Sequence, residues 1–248
     1  MQAIYIMWLR QLKRYFRTKS RVIGSLGQPV LFLVVFSLGF GPIFARAGEG
    51  NYIDYLAPGI IGQSILFLSV FFGIEIIWDR QFGFLKEVLV APVSRLTIMI
   101  GRTVGGATVA MIQGLIVLGL AMIIGFRIEN VLQLPLALVF MLLISLLFTA
   151  FGTAVASVLT DMHSFQLVMN FVIMPTFFLS GALFPLKGVP KAIEVIAWLN
   201  PLSYGIDGLR GALGGVAHFG LTTDLAVLSV ATCLLLAIGS YLFSKIQV

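Results

Sequence analysis

DRQFGFLKEVLVAPVSR, residues Asp79–Arg95, is a polar interruption between two long apolar runs, Pro58–Trp78 and Leu96–Phe126. Each run reaches the roughly 20 residues that a helix needs to cross a bilayer. A pair of such runs joined by a short polar loop predicts an all-α polytopic membrane protein. The loop holds more than a reconnection needs. Gly83 is a breaker, Ala91-Pro92 ends the apolar pattern, and Phe84–Ala91 between them reads as a short amphipathic helix. Leu85, Val88 and Leu89 recur at helical spacing with Lys86 and Glu87 beside them, the pattern of a face that docks against something.

Composition agrees. The chain has 248 residues, 59% of them hydrophobic and only 10% charged, with a mean hydropathy of +1.06. No water-soluble core needs that much apolar surface. Segments of about 10 residues with alternating polarity, the mark of a membrane β-barrel, do not occur. The net charge of +6 does not point to nucleic acid. Most of the basic residues stand beside the ends of apolar runs, where they orient spans and meet headgroups. The basic N-terminal segment has no small-residue cleavage site, so no cleavable leader is expected. The single cysteine, Cys233, lies in an apolar run and reads as buried and inert.

Working outward, Met1–Arg21 is amphipathic. Ile4, Tyr5, Trp8, Leu12, Tyr15 and Phe16 fall on one side, and Arg10, Lys13, Arg14, Arg17 and Arg21 on the other. This predicts a helix in the membrane interface with its basic face toward headgroups; a plain positive flank for the first span is the simpler alternative. Spans are expected at Val22–Phe44, Pro58–Trp78, Leu96–Phe126, Val131–Leu159, Phe165–Leu183 and Asp224–Phe243. The third carries Gly101-x-x-x-Gly105, then Gly106, Ala110 and Gly114 at four-residue spacing, which lets another helix approach closely. In the mixed segment Phe184–Thr223, Pro190 opens a short helix ending at Asn200. Asn200-Pro201 opens another, with Asp207 and Arg210 at i,i+3.

Six spans put both termini on one side. Arg10, Lys13, Arg14, Arg17, Lys19, Arg21, Arg80, Lys86, Arg95, Arg102 and Lys245 fall there, against Arg46, Arg127, Lys187, Lys191 and Arg210 opposite. The excess marks the termini and the Asp79–Arg95 loop as cytoplasmic. A seventh span in the mixed segment would reverse the C-terminus.

Chemistry-bearing motifs are scarce. No lysine follows a glycine, so there is no Walker A loop. His163 and His218 lie on opposite sides, away from second ligands, so no metal site and no catalytic group is expected. Glu75 is the one acidic residue inside an expected span, which by default suggests proton- or substrate-linked function. Solvation near the interface, or pairing with Arg80 or Arg102, is the plain alternative.

Two separated stretches match a family. DRQFGFLKEVLVAPVSR (Asp79–Arg95) resembles the signature of the permease subunits of type-2 ABC exporters. FLSGALFP (Phe178–Pro185), followed by LNPLSYGIDGLR (Leu199–Arg210), resembles that family's second block. The resemblance covers essentially the whole chain and looks closest to short daunorubicin-resistance and multidrug-efflux permeases. It implies one transmembrane domain over residues 1–248. In that reading 1–21 is a connecting helix represented by Trp8, Arg10, Leu12, Arg14 and Arg17. Residues 22–78 hold the first two spans, 79–95 the coupling loop, and 96–183 the next three spans. Residues 184–223 form an extracellular re-entrant hairpin, and 224–248 the last span and C-terminus.

The resemblance also assigns roles. Gly83, Phe84, Leu85, Lys86, Glu87, Val88, Leu89, Pro92 and Arg95 would couple to a separate ABC ATPase, present in two copies and carrying ATP and Mg itself, with no cofactor on this chain. Glu75, Ser180, Gly181, Phe184, Pro185, Asn200, Pro201 and Tyr204 are the candidate pathway and gate residues. A second permease protomer, in a homodimer or heterodimer, and the lipids of the plasma (inner) membrane are the other expected partners. A mostly apolar pathway suggests export of an amphipathic or hydrophobic substrate: a drug-like natural product, a lipid or a lipid-linked glycan. The competing readings are a secondary transporter or channel that couples ions through Glu75, and a membrane enzyme, for which no polar cluster is seen.

Overall fold

The N- and C-caps that delimit the helices are visible in the sequence. Ser94 caps the helix that follows it, its Oγ accepting from the Thr97 N–H at 3.2 Å. Gly83, at φ +79°, stops the helix before it, and Gly125 at φ +130° ends the next. The computed structural model describes residues 2–46, 50–84, 93–186, 188–214 and 217–246. The expected short helix at Phe84–Ala91 lies, from Leu85 onward, outside the described residues, as do Pro92 and Lys187.

In chain order the helices are α1 (Gln2–Arg17), α2 (Lys19–Arg46), α3 (Tyr52–Gln81), α4 (Arg95–Ile124) and α5 (Leu134–Val158). A π turn (Met169–Ile173) joins α6 (Met162–Val168) to α7 (Met174–Phe178) without a break. Then follow α8 (Lys191–Leu199), α9 (Pro201–Gly214) and α10 (Leu221–Ser244). No strand occurs among the described residues. Among them, five helices are long and apolar enough to cross a membrane: Val22–Arg46, Tyr52–Gln81, Arg95–Ile124, Val131–Val158 and Leu221–Ser244. The chain is a multi-pass membrane protein.

Several helices extend past the ends expected from polarity. α3 begins at Tyr52 instead of Pro58 and runs through Asp79 and Arg80, because those two charges are satisfied by protein. Asp79 is buried against Arg102, and Arg80 donates to the Leu159 and Ser157 carbonyls at 3.1 and 3.3 Å. α10 begins at Leu221, which takes Asp224 into its first turn, where it is fully buried. Glu75 is therefore not the lone acidic residue of the apolar helices: Asp54, Asp79 and Asp224 join it. The expected fifth span, Phe165–Leu183, is interrupted. Pro175 offers no N–H to the carbonyl one turn back, and the helix widens into the π turn just before it. Asp161 caps α6, and the N–H and hydroxyl of Ser164 hold its exposed carboxyl below the usual carboxylate range.

α3 is the centre of the bundle, with 83% of its most apolar stretch buried, against 11% for α2 and 17% for α10. Its neighbours approach through glycines. A Cβ at Gly73 would overlap the Gly152 carbonyl of α5, and one at Gly152 would sit 2.6 Å from the Val70 oxygen. On α4, Gly106 faces Phe72 and Thr149, and Gly114 faces Ile65. The Gly101-x-x-x-Gly105 pair takes a different partner: α1, whose Ile4 and Met7 cover Gly101 while Trp8 and Gln11 cover Gly105. The small-residue stripe of α4 thus serves two helices from two sides. Cys233, expected buried, is exposed, since α10 packs on one side only.

Hydrogen bonds fix which helix ends lie together. Arg95 donates to the Ser244 and Ile246 carbonyls at 2.6 and 2.9 Å. The end of α10, the start of α4 and the end of α3 therefore share one end of the bundle with α1, here the loop end. At the far end Tyr52 donates to the Leu183 carbonyl at 2.6 Å, and Arg210 to the Gly181 carbonyl at 3.1 Å.

Candidate functional site

The loop end is built on a ladder of charges that links three helices. Arg10 and Arg14 lie one turn apart on α1; Glu75 and Asp79 lie one turn apart on α3. The helices run antiparallel, so Arg14 meets Glu75 at 3.3 Å and Arg10 meets Asp79 at 3.8 Å. Arg102 of α4 reaches Asp79 from the other side, and both are buried. Glu75 is 1% exposed and pairs with Arg14. The basic face expected to meet headgroups is divided: two of its arginines turn inward to α3.

α1 is fastened along α4 as well. Trp8 Nε1 donates to Thr108 Oγ1 at 3.1 Å, and Tyr15 donates its hydroxyl proton to Gln113 Oε1 at 2.6 Å. Gln113, polar in mid-helix, is satisfied further by Ser25 of α2, whose hydroxyl donates to its Oε1 at 3.2 Å while its Nε2 donates to the Ser25 carbonyl at 3.0 Å. The apolar side of α1 was expected to include Tyr5 and Phe16. Both are exposed, whereas Tyr15 of the same expected side is buried and Gln11 is buried beside it, because the glycines of α4 select the face that packs. Leu12 is half-buried against the core, and Arg17 is exposed.

Two cavities of about 780 Å³ open from this ladder. One is a basic groove between α1 and the end of α3, walled by Arg10, Lys13 and Arg17 with Trp78, Phe82 and Phe84. The other lies between α2 and α3, with Glu75, Gln63 and Gln28 facing Phe67, Phe71 and Pro29. Polar groups are few along the chain, but the fold gathers them.

The remaining candidates sit at the far end, well apart from Glu75. Gly181 is held at φ +74°, and its carbonyl accepts from Tyr55 at 2.7 Å and from Arg210. The Arg210 guanidinium also lies 3.8 Å over the Tyr55 ring. Ser180 is buried and bonds the Phe177 carbonyl at 2.6 Å. Phe184 and Pro185 wall a 300 Å³ aromatic cavity with Phe36, Phe40, Phe44 and Tyr52. Asp207 lies 3.9 Å from Arg210 and accepts the His218 and Phe219 N–H groups at 2.7 and 2.8 Å.

Asn200 does two jobs where α8 turns into α9. Its Oδ1 caps Leu202 at 3.0 Å ahead of Pro201, and its Nδ2 donates to the Thr176 carbonyl at 2.7 Å. Tyr204, one turn on, donates to the Trp198 carbonyl at 2.9 Å. Asn200→Ala is expected to cost about 1–2 kcal/mol in detergent unfolding, for the lost cap and the lost bond. Asn200→Asp, which keeps the cap oxygen, is expected to lose less.

The arrangement is an all-helical membrane unit with no group of metal-binding side chains among the described residues. Residues 2–213 match the family model described as ABC-2 type transporter. The chain belongs to the ABC-2 type transporter family. Among ABC-2 relatives, it is 28% identical over 240 residues to the probable doxorubicin resistance ABC transporter permease protein DrrC of Mycobacterium tuberculosis, covering 93% of this chain and 85% of that one. It is 26% identical over 239 residues to the inner membrane transport permease YadH of Escherichia coli K12, covering 92% and 89%. It is 28% identical over 213 residues to nodulation protein J of Rhizobium leguminosarum, covering 85% and 82%. As an ABC-2 permease the chain has a membrane transport role.

Of the residues singled out from the ABC-2 signature, Gly83, Phe84 and Arg95 are described: a chain reversal, an exposed ring and the tie to α10. Sequence reading missed the ladder, although Arg10/Arg14 and Glu75/Asp79 share a four-residue spacing that announces it. It also missed Gln63, Gln113 and Ser25, for which no local signal exists.

Proposed function

We propose that the chain is the permease subunit of an ATP-driven exporter. It works with a separate ABC ATPase, in two copies, and a second permease protomer, and moves an amphipathic or hydrophobic substrate out of the cytoplasm. Six crossings are counted when residues 162–178 are taken as a span. α8 and α9 then form a re-entrant hairpin at the outer face, and both termini lie in the cytoplasm. The arrangement of helix ends supports this: α1 and the end of α10 meet the same end of the bundle, as an even number of crossings requires.

The observation that carries the coupling role is the ladder. It ties α1, α3 and α4 together at the root of the 82–94 loop, so a push on that loop would move three helices as one body. Leu85, Val88 and Leu89, edged by Lys86 and Glu87, supply apolar anchors for a groove on the ATPase. The name of the DrrC relative supports efflux. Ion coupling through Glu75 loses its motive, because the carboxylate is matched by Arg14.

The test is cross-linking. In a Cys233→Ser background, Leu85→Cys is expected to form a disulfide with cysteines placed along the ATPase groove in the assembled complex. A complete lack of product with the complex intact removes the coupling assignment.

A further inference from the structure

We propose that Asp207 and Asp224 form a proton-held latch that fastens α9 to the start of α10 and loosens as the pH at the far end of the bundle rises. The two carboxyl groups are in hydrogen-bonding contact. Asp207 is 3% exposed and Asp224 is closed to solvent altogether.

Their surroundings divide the charge between them. Asp207 Oδ2 accepts the His218 and Phe219 N–H groups at 2.7 and 2.8 Å, and its Oδ1 lies 3.9 Å from Arg210. These are partners that favour an ionised carboxylate. Asp224 has no such support. Among the described residues neither of its oxygens receives an N–H, and its polar neighbour is Asp207. Two carboxylates in contact and shut off from water repel too strongly for both to ionise. One proton therefore sits on Asp224 and is donated to Asp207. That O–H···O⁻ bond, of the strong charge-assisted kind, joins α9 to α10.

The packed elements offer no substitute for the proton. α5, which packs on both helices, carries no charged residue. Arg127 and Glu129, ahead of α5, are exposed. Among the described residues, Lys191 and Glu194 of α8 and Asp54 of α3 form no ion pair with either aspartate. Arg210 is shared with the Tyr55 ring and the Gly181 carbonyl.

Loss of the proton to water leaves two adjacent carboxylates, which drive α10 from α9. The turn between the helices moves with them, because Asp207 holds its His218 and Phe219 amides. The sign of the pH effect follows. The closed latch keeps a proton that an opened, hydrated Asp224 releases. Above the ordinary carboxylate range the open fraction therefore grows about tenfold per pH unit, for as long as the closed pair keeps its proton. On the exporter reading the far end is the exit, so the pH outside sets how readily it opens; the latch itself stands without that reading.

The test uses the full chain in lipid nanodiscs, without nucleotide or ATPase. Aspartate labelled with carbon-13 at the side-chain carboxyl reports Asp54, Asp79, Asp161, Asp207 and Asp224, each assigned by its Asn variant. At about pH 7 Asp224 is expected to read as a neutral acid and Asp207 as a carboxylate, and Asp224 to lose its proton as the pH rises further. Trp8→Phe and Trp78→Phe leave Trp198 as a reporter, since its ring meets Phe219 and its carbonyl accepts from Tyr204. Its emission is expected to change with the same midpoint. His218 titrates at about 6.5 in its ordinary state, and the Tyr204 hydroxyl is pushed above its usual value by burial and then by Asp224, which leaves a window between them. Asp224→Asn keeps a donor to Asp207 and cannot ionise; it is expected to abolish the Trp198 change in that window, whereas His218→Gln is expected to preserve it. An ionised Asp224 at about pH 6, a proton kept throughout the window, or a Trp198 change that is absent in the parent or survives Asp224→Asn overturns the proposal. The carboxyl signals of the parent chain decide even if the variant does not fold. Because no ATPase is present, failure here is distinct from failure of the Leu85→Cys cross-link.

Discussion

Asp79→Ala is expected to destabilise the folded chain by about 3–5 kcal/mol, the cost of stranding a buried charge. The stranded charge is Arg102, which is 4% exposed. Two of its nitrogens, Nε and Nη1, have no partner among the described residues, so Asp79 is the anion it relies on. Arg10, 3.8 Å from the same carboxylate, would lose its anchor too. The measurement is unfolding in detergent, followed by fluorescence or circular dichroism. Asp79→Leu combined with Arg102→Met is expected to recover most of the loss, because an apolar pair of similar volume removes both buried charges together. A loss below about 1 kcal/mol in Asp79→Ala would mean that Arg102 finds water or another anion, and that the ladder does not bind α4 to α3.

Gly73→Ala is the second large effect. At Gly62 or Gly114 an added methyl meets a side chain that can turn aside. At Gly73 it meets the Gly152 carbonyl, and at Gly152 it meets the Val70 oxygen; backbone cannot turn aside. α3 and α5 must separate along a line of buried contacts, and the expected cost is about 1–3 kcal/mol or more. Gly119→Ala makes the control. No atom lies within 4 Å of its added methyl, and the substitution is expected to be neutral or to stabilise by up to about 1 kcal/mol. Similar unfolding midpoints for the two variants would show that the α3–α5 crossing is loose.

The architecture was legible where physics is local. Five of the six apolar runs, the Gly83 stop and the Asn200-Pro201 cap depend on a few neighbouring residues, and these appear as read. The end of α3 was misplaced because Asp79 looks like a loop residue until its burial is known. The π turn was missed because Pro175 is ordinarily tolerated in membrane helices, and whether it widens a turn depends on what packs around it. The face of α1 that packs was legible at Ile4, Trp8, Leu12 and Tyr15 and misjudged at Tyr5 and Phe16, because the glycines of α4 set where the helix docks. The cavity between α2 and α3 was illegible altogether. Gln63, Gln113, Ser25, Arg14 and Glu75 come from four helices, and only the folded chain sets them side by side.

The docking of α1 also sets an order of events during synthesis. Trp8 and its partner Thr108 are 100 residues apart, and Arg14 and Glu75 are 61 apart. When α1 leaves the ribosome, the groove that will hold it has not been made. Its arginines stay in water and headgroups until α3 supplies two carboxylates, and its packing face stays open until α4 enters the membrane. A basic, amphipathic segment that waits in this way retains the membrane while the spans after it are inserted. It then closes over them once Gly101 and Gly105 arrive, a late seal on an assembly that began without it.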